Sequence, residues 1–204
     1  KEMLVPEHIS PAQWSAWWNK ARTAARRHEQ LTMEGRPITI TYHPGGRTLE
    51  EELAPQAAKA NMPAERLEVL RQYDREVRAR KLPVDNDFIL PILNALAEDI
   101  AHSRRRNPAD ALTAALALQE AQRAGMGQPT AAAPTPAALL GEQERPYELV
   151  TELTDQTLWP AALEALSQRE DATAQLTAIL KHTPAELLDR VVLPLMQAEA
   201  EDAV

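Results

Sequence analysis

Apolar positions along the chain recur mostly at the spacing of α-helices. The first segment of this kind, Ser10 to His28, would place five side chains on one helix face at roughly 100° per residue: Trp14, Trp17, Trp18, Ala21 and Ala25. Ser10 predicts the helix start, with Pro11 in the first turn and Gln13 completing a capping box. A neighbouring layer should cover three indoles, so we expect Trp14 and Trp18 beneath the segment that follows.

The tryptophan face allows two interpretations. As core anchors, Trp14, Trp17 and Trp18 would be buried; as a binding surface, they would stack on a peptide or on bases. The other side of the same helix carries four cations that could contact phosphates or a protein partner: Lys20, Arg22, Arg26 and Arg27.

A single stretch alternates with the period of a strand. Ile38, Ile40 and Tyr42 are separated by threonines, and residues 30–33 could pair with them across Glu34-Gly35 to form a small hairpin. A two-stranded hairpin is marginal alone and needs a helix against it. Helix and hairpin also resemble part of a winged-helix domain, although its upstream helices are missing here.

The remaining pattern is helical. Thr48 with Glu51, Asn107 with Pro108, and Thr183 with Glu186 predict three further helix starts. Prolines recur within apolar stretches at Pro91 and Pro194, as in solenoids of the HEAT type. We therefore expect a mainly α fold of stacked helix pairs, a HEAT-like helical array, with one small β-hairpin near the N-terminus.

A change of composition suggests how the chain is divided. Residues 125–146 are mainly Pro, Gly, Ala and Thr, typical of a linker or a long crossover. We expect a tryptophan-helix, hairpin and helical unit over residues 1–124, and a C-terminal helical unit over residues 147–204.

Composition narrows the class of protein. The 204 residues are 44% hydrophobic but only 4% aromatic, which suits a helical core, and the net charge of −8 disfavours nucleic-acid binding over the whole surface. Disulfides and thiolate metal sites are excluded because cysteine is absent.

With neither a long apolar run nor a visible signal peptide, we expect a cytoplasmic protein that does not enter a membrane. The first residue is Lys1, so we expect a domain of a longer protein.

A search for catalytic patterns finds none. The five histidines are far apart, and no metal-binding, nucleophile-elbow, phosphate-loop or dinucleotide pattern occurs. We expect no catalytic residues, no metal, no cofactor and no enzyme activity. A second run of cations could contact an acidic partner or phosphates, or could simply be solvated at a helix end: Arg104, Arg105 and Arg106.

The N-terminal sequence carries a family resemblance. VPEHISPAQWSAWWNKAR, then a short apolar strand, then RTLEEEL resembles a segment of long, multi-domain variants of the Gre-type transcription elongation factors. In those proteins a tryptophan-rich helix lies upstream of the Gre module, and helical, repeat-like sequence follows it. The resemblance covers about the first third of the chain. It does not extend to a coiled-coil hairpin with an acidic tip, so it transfers no catalytic residue.

Two functions remain open. The first is a non-catalytic helical protein-interaction or scaffold module of a transcription-elongation-associated protein, with RNA polymerase or a transcription complex as the partner that the resemblance implies. The alternative is a nucleic-acid-binding module that uses the basic side of the tryptophan helix and the hairpin. Salt distinguishes them, because phosphate contacts weaken steeply with ionic strength.

Overall fold

A computed structural model of the chain describes residues 8–28 and 30–202, with side chains up to residue 197. The protein is 65% helical, and the described residues contain ten α-helices and one antiparallel hairpin near the N-terminus. The predicted fold class, mainly α with a small hairpin near the N-terminus, is confirmed. In chain order the elements are α1 (Trp14–Arg27), β1 (Leu31–Glu34), β2 (Thr39–Tyr42), α2 (Leu49–Ala57), α3 (Pro63–Arg80), α4 (Asn86–Ser103), α5 (Pro108–Arg123), α6 (Pro136–Gly141), α7 (Pro146–Thr151), α8 (Trp159–Ser167), α9 (Ala172–Ile179) and α10 (Leu188–Asp202).

The chain divides into two compact units at a place that composition did not predict. The N-terminal unit spans residues 1–52, and the helical unit spans residues 53–204. The sequence had suggested a division at residues 125–146. That stretch instead lies within the helical unit, where Met126, Leu139 and Leu140 are buried and Asn94 of α4 accepts a hydrogen bond from the Thr130 amide.

The N-terminal unit contains α1 and the hairpin. Strand β1 packs against α1 and pairs with β2, with Leu31 opposite Tyr42 and Met33 opposite Ile40. Helix α1 begins later than the sequence suggested. Ser10 and Gln13 do contact each other, but they close a turn before the helix instead of capping it.

The predicted helix starts at Thr48 and Asn107 are confirmed, and after Thr183 a 3-10 turn over Ala185–Leu187 leads into α10, but without the predicted cap. The Thr48 hydroxyl and the Glu51 carboxylate each accept a hydrogen bond from the other residue's amide before α2, and the Asn107 side chain caps α5. Thr183 does not cap a helix, because its hydroxyl donates to the Ile179 carbonyl instead.

The core of the helical unit is built first from α3, α4 and α5, each of which contacts the other two. Their buried side chains are almost all aliphatic, with Tyr73 of α3 fully enclosed against Phe88 of α4. The Tyr73 hydroxyl accepts a hydrogen bond from the Asp85 amide, which fixes the start of α4. Four short helices, α6 to α9, and the longer α10 extend this core. Each of them packs against helices that are near it in the sequence.

Candidate nucleic-acid interface

The three tryptophans of α1 form a stacked cluster that is not buried. Trp14 and Trp18 are almost parallel, with ring centroids 5.9 Å apart, and Trp17 tilts against Trp14 at 5.3 Å. No residue of α1 is buried; Trp14 and Trp18 are half-buried and Trp17 is 38% exposed. The structure therefore differs from the expectation of enclosed core anchors. The physical reason is that one two-stranded hairpin, packed through β1, is too small a layer to enclose three indoles.

Outside the tryptophan face, α1 carries four cations, which form the basic side of the helix. Lys20, Arg26 and Arg27 are exposed, and Arg22 is half-buried and donates to the Asn19 side chain at 3.4 Å. Helix α1 contains no acidic residue, and none of its cations forms an ion pair with a described side chain. Arg26 and Arg27 lie in the last turn of α1, where cations interact favourably with the helix dipole. Lys20 and Arg22 lie too far from that end for the dipole to explain their presence.

The hairpin adds exposed apolar surface. Every residue of β2 is exposed, and the exposed fractions of Ile38, Ile40 and Tyr42 are 43%, 47% and 61%. Ile40 and Tyr42 alternate along β2, so they lie on one side of the hairpin, and Ile38 belongs to the turn before the strand. The turn before β2 depends on Gly35, whose φ of +82° is in the left-handed region.

The segment of this unit that contains α1 and the hairpin has a local charge opposite to that of the whole chain, although residues 1–52 together contain seven Lys and Arg and seven Glu. Residues 8–47 contain six Lys and Arg against two Glu, whereas the whole chain has a net charge of −8. A positive patch on an acidic protein concentrates the attraction for a polyanion at one place.

The second predicted cluster of cations lies in the other unit of the chain. Arg104, Arg105 and Arg106 belong to the helical unit, and Arg104 forms an ion pair with Glu142. The hydrogen bond to Glu142 raises the pKa of Arg104, so this guanidinium is already engaged. Arg105 and Arg106 are exposed.

Sequence reasoning missed one concave surface, a groove of about 470 Å³ in the helical unit. Among its lining residues Val69 and Ile92 are buried, and Arg66 forms an ion pair with Asp99. Burial raises the pKa of Asp99 against the opposing effect of Arg66. The signal was the alanine-rich sequence of α2 and the turn after it, since small side chains leave open the space that the groove occupies: Ala54, Ala57, Ala58 and Ala60.

Two features were not found among the described residues, a possible metal site and a possible membrane-spanning helix. Among them, no three His, Asp or Glu side chains come together in a group that could hold a metal ion. Over the same residues, no helix has both the length and the apolar character required to cross a membrane.

Comparison with known families gives one match. The profile of a family described as the GRAD helix-turn-helix domain matches residues 1–42, about a fifth of the chain. Residues 1–7 of the matched segment lie outside the described residues, and the rest comprises α1 and the hairpin. No curated protein and no solved structure matches the chain. The family match is loosely consistent with a Gre-related domain at the N-terminus.

Proposed function

We propose that the chain is a non-catalytic binding module whose N-terminal unit binds nucleic acid through the basic side of α1. One observation carries the proposal: four cations lie on a helix without an acidic residue, three of them exposed, in a segment similar to a helix-turn-helix family. The partly exposed tryptophans favour the nucleic-acid hypothesis over the scaffold hypothesis, because they are accessible to a ligand and are not enclosed in a core.

The binding energy should come mainly from phosphate contacts. Each phosphate that a cation neutralises contributes about −0.7 to −0.9 to the slope of log affinity against log salt. Four contacts would give a slope of about −3. Docking of a protein partner through apolar surface would be far less sensitive to salt.

Paired variants test this assignment. Lys20→Gln with Arg27→Gln removes two exposed charges from α1, and Arg105→Gln with Arg106→Gln removes two exposed charges from the helical unit. We expect the first pair to weaken binding to a labelled oligonucleotide at least tenfold in fluorescence anisotropy and to reduce the salt slope by about 1.5. The second pair should bind like the parent chain. Equal losses in the two pairs, or no binding by the parent chain, would refute the proposal.

The groove supports a second candidate function for the helical unit. It is concave and mostly apolar, which suits an apolar segment of a protein partner. Together with the Gre-type resemblance, it favours an interaction or scaffold module in a transcription-elongation complex, with RNA polymerase as the partner to test. Ala58→Glu places a charge in the groove, and Ala64→Glu places the same charge on the exposed start of α3. Loss of polymerase capture by the first variant alone would support this function, and equal capture by both would exclude the groove.

A further inference from the structure

We infer that the N-terminal unit selects single-stranded nucleic acid, with unpaired bases stacking on Trp17 and Tyr42. This inference rests on the proposed function and specifies its ligand. The observations behind it are the exposed aromatic and apolar side chains in the same positively charged segment, residues 8–47, which phosphate binding alone does not require.

Trp17 is suitably placed for stacking. It is the most exposed of the three indoles, and its ring centroid lies 5.3 Å from that of Trp14 and 6.4 Å from that of Trp18. Lys20 lies one turn further along the helix, and Arg27 continues the same exposed stripe about 10 Å beyond Lys20. A strand whose base stacks on Trp17 could therefore lay its backbone along these two cations.

The hairpin continues the pattern. Tyr42 is 61% exposed at the end of β2, on the same side of the strand as Ile40. Strand β1, the partner of β2, packs on α1, so both aromatic side chains belong to one small unit. Aromatic side chains beside cations are the usual arrangement of proteins that bind single strands without strict sequence preference.

A duplex does not explain these exposed rings. Its base faces are stacked on each other, so a protein reaches only phosphates, sugars and groove edges unless it pries base steps apart. An acidic peptide would satisfy the cations of α1, but it offers a flat ring to Trp17 or Tyr42 only where it contains an aromatic residue. Unpaired bases supply both the flat apolar faces and the phosphates.

The test compares one oligonucleotide as a single strand and as a duplex of equal length, at one fixed salt concentration. We expect the parent chain to bind the single strand at least tenfold more tightly. Trp17→Ala and Tyr42→Ala should each weaken single-strand binding about fivefold to a hundredfold, the usual range for a lost base stack, and leave duplex binding unchanged. Trp17→Phe should restore most of the affinity. Leu193→Ala, which removes an exposed apolar side chain from the helical unit, is the matched control and should have no effect.

The outcomes separate this inference from the proposed function. A duplex bound as tightly as the single strand, or full affinity in both aromatic variants, would overturn the inference, while the charge variants of α1 could still confirm nucleic-acid binding. If Trp17→Ala disturbs the indole cluster and unfolds the unit, seen as loss of duplex binding as well, Tyr42→Ala decides. Poly-glutamate bound as tightly as the oligonucleotide would overturn the inference, since it has no bases.

Discussion

Arg71 links three separate segments of the helical unit. Its guanidinium donates two hydrogen bonds of 2.7 Å to Glu120 of α5 and one of 2.7 Å to Asp155, which precedes α8. The bond to Glu120 has the largest effect on the pKa of Arg71 and raises it, against the opposing effect of burial. Burial alone would raise the pKa of Asp155, but hydrogen bonds from Thr157 and Arg71 outweigh it and hold that pKa below its usual value.

This arrangement predicts an acid-sensitive contribution to stability. A carboxyl group whose pKa is lower in the folded than in the unfolded chain stabilises the fold fully above its unfolded pKa, about 3.9 for Asp. The stabilisation is lost as pH falls from there through the lowered folded pKa. Asp155→Asn should cost about 1 kcal/mol in urea unfolding at neutral pH, a modest value because the site is partly exposed.

The control for that experiment is Asp189→Asn, an exposed carboxyl on α10. We expect the difference in unfolding free energy between Asp155→Asn and the parent chain to shrink below about pH 4. The difference for Asp189→Asn should be close to zero throughout. If the difference in unfolding free energy between Asp155→Asn and the parent chain stays constant as the pH falls below about 4, the lowered pKa of Asp155 does not contribute to stability.

Helix caps could be predicted from the sequence, whereas ion pairs between residues far apart in the chain could not. Asn107 and Thr48 act as caps as their sequences indicate, because a cap needs only its three following residues. The partners of Arg71 lie 49 and 84 positions away, and nothing in the sequence selects them from the chain's other carboxylates. The same limit applies to Arg104, for which the sequence left open a phosphate or partner contact and a solvated helix end, and which forms an ion pair with Glu142.

At the scale of elements, the periodicity of apolar residues predicted whether a segment is a helix or a strand more reliably than it predicted how deeply its side chains are buried. The alternation around Ile40 correctly predicted the hairpin, and the indole spacing correctly placed three rings on one side of α1. Burial depends on the size of the covering layer, which periodicity does not report. That is why Trp14 and Trp18 were expected in a core and lie on a partly open face.

The hairpin turn offers a prediction at this scale. Gly35 has a φ of +82°, and an added Cβ would lie 3.1 Å from the Pro37 carbonyl oxygen. Gly35→Ala should therefore destabilise the hairpin by about 1 kcal/mol or more. Gly45→Ala is the matched control, because a Cβ there meets nothing within 4 Å. Thermal unfolding followed by tryptophan fluorescence, with Trp159→Phe in both variants so that only α1 reports, should separate the two, and equal midpoints would contradict the prediction.

At the scale of the whole molecule, the division of the chain follows the distribution of buried apolar side chains. Leu49 alone among the described core residues lies within residues 1–52, and all the others belong to the helical unit. Composition pointed to residues 125–146 because Pro, Gly and Thr are common in linkers. Pro136 instead begins α6, and Thr135 caps that helix, so the segment contributes to the core.

The last prediction is that the two units unfold separately. The N-terminal unit exposes its helix and contains very little core, so it should melt at lower urea concentration and with a smaller m-value than the helical unit. The tryptophans provide separate reporters: Trp159→Phe leaves three indoles, all in α1, whereas Phe at positions 14, 17 and 18 leaves Trp159, which is 5% exposed in the helical unit. We expect the first reporter to show the earlier transition and the second to follow far-ultraviolet circular dichroism. Coincident transitions in the two variants would mean one cooperative unit, since two-state unfolding requires that all probes agree.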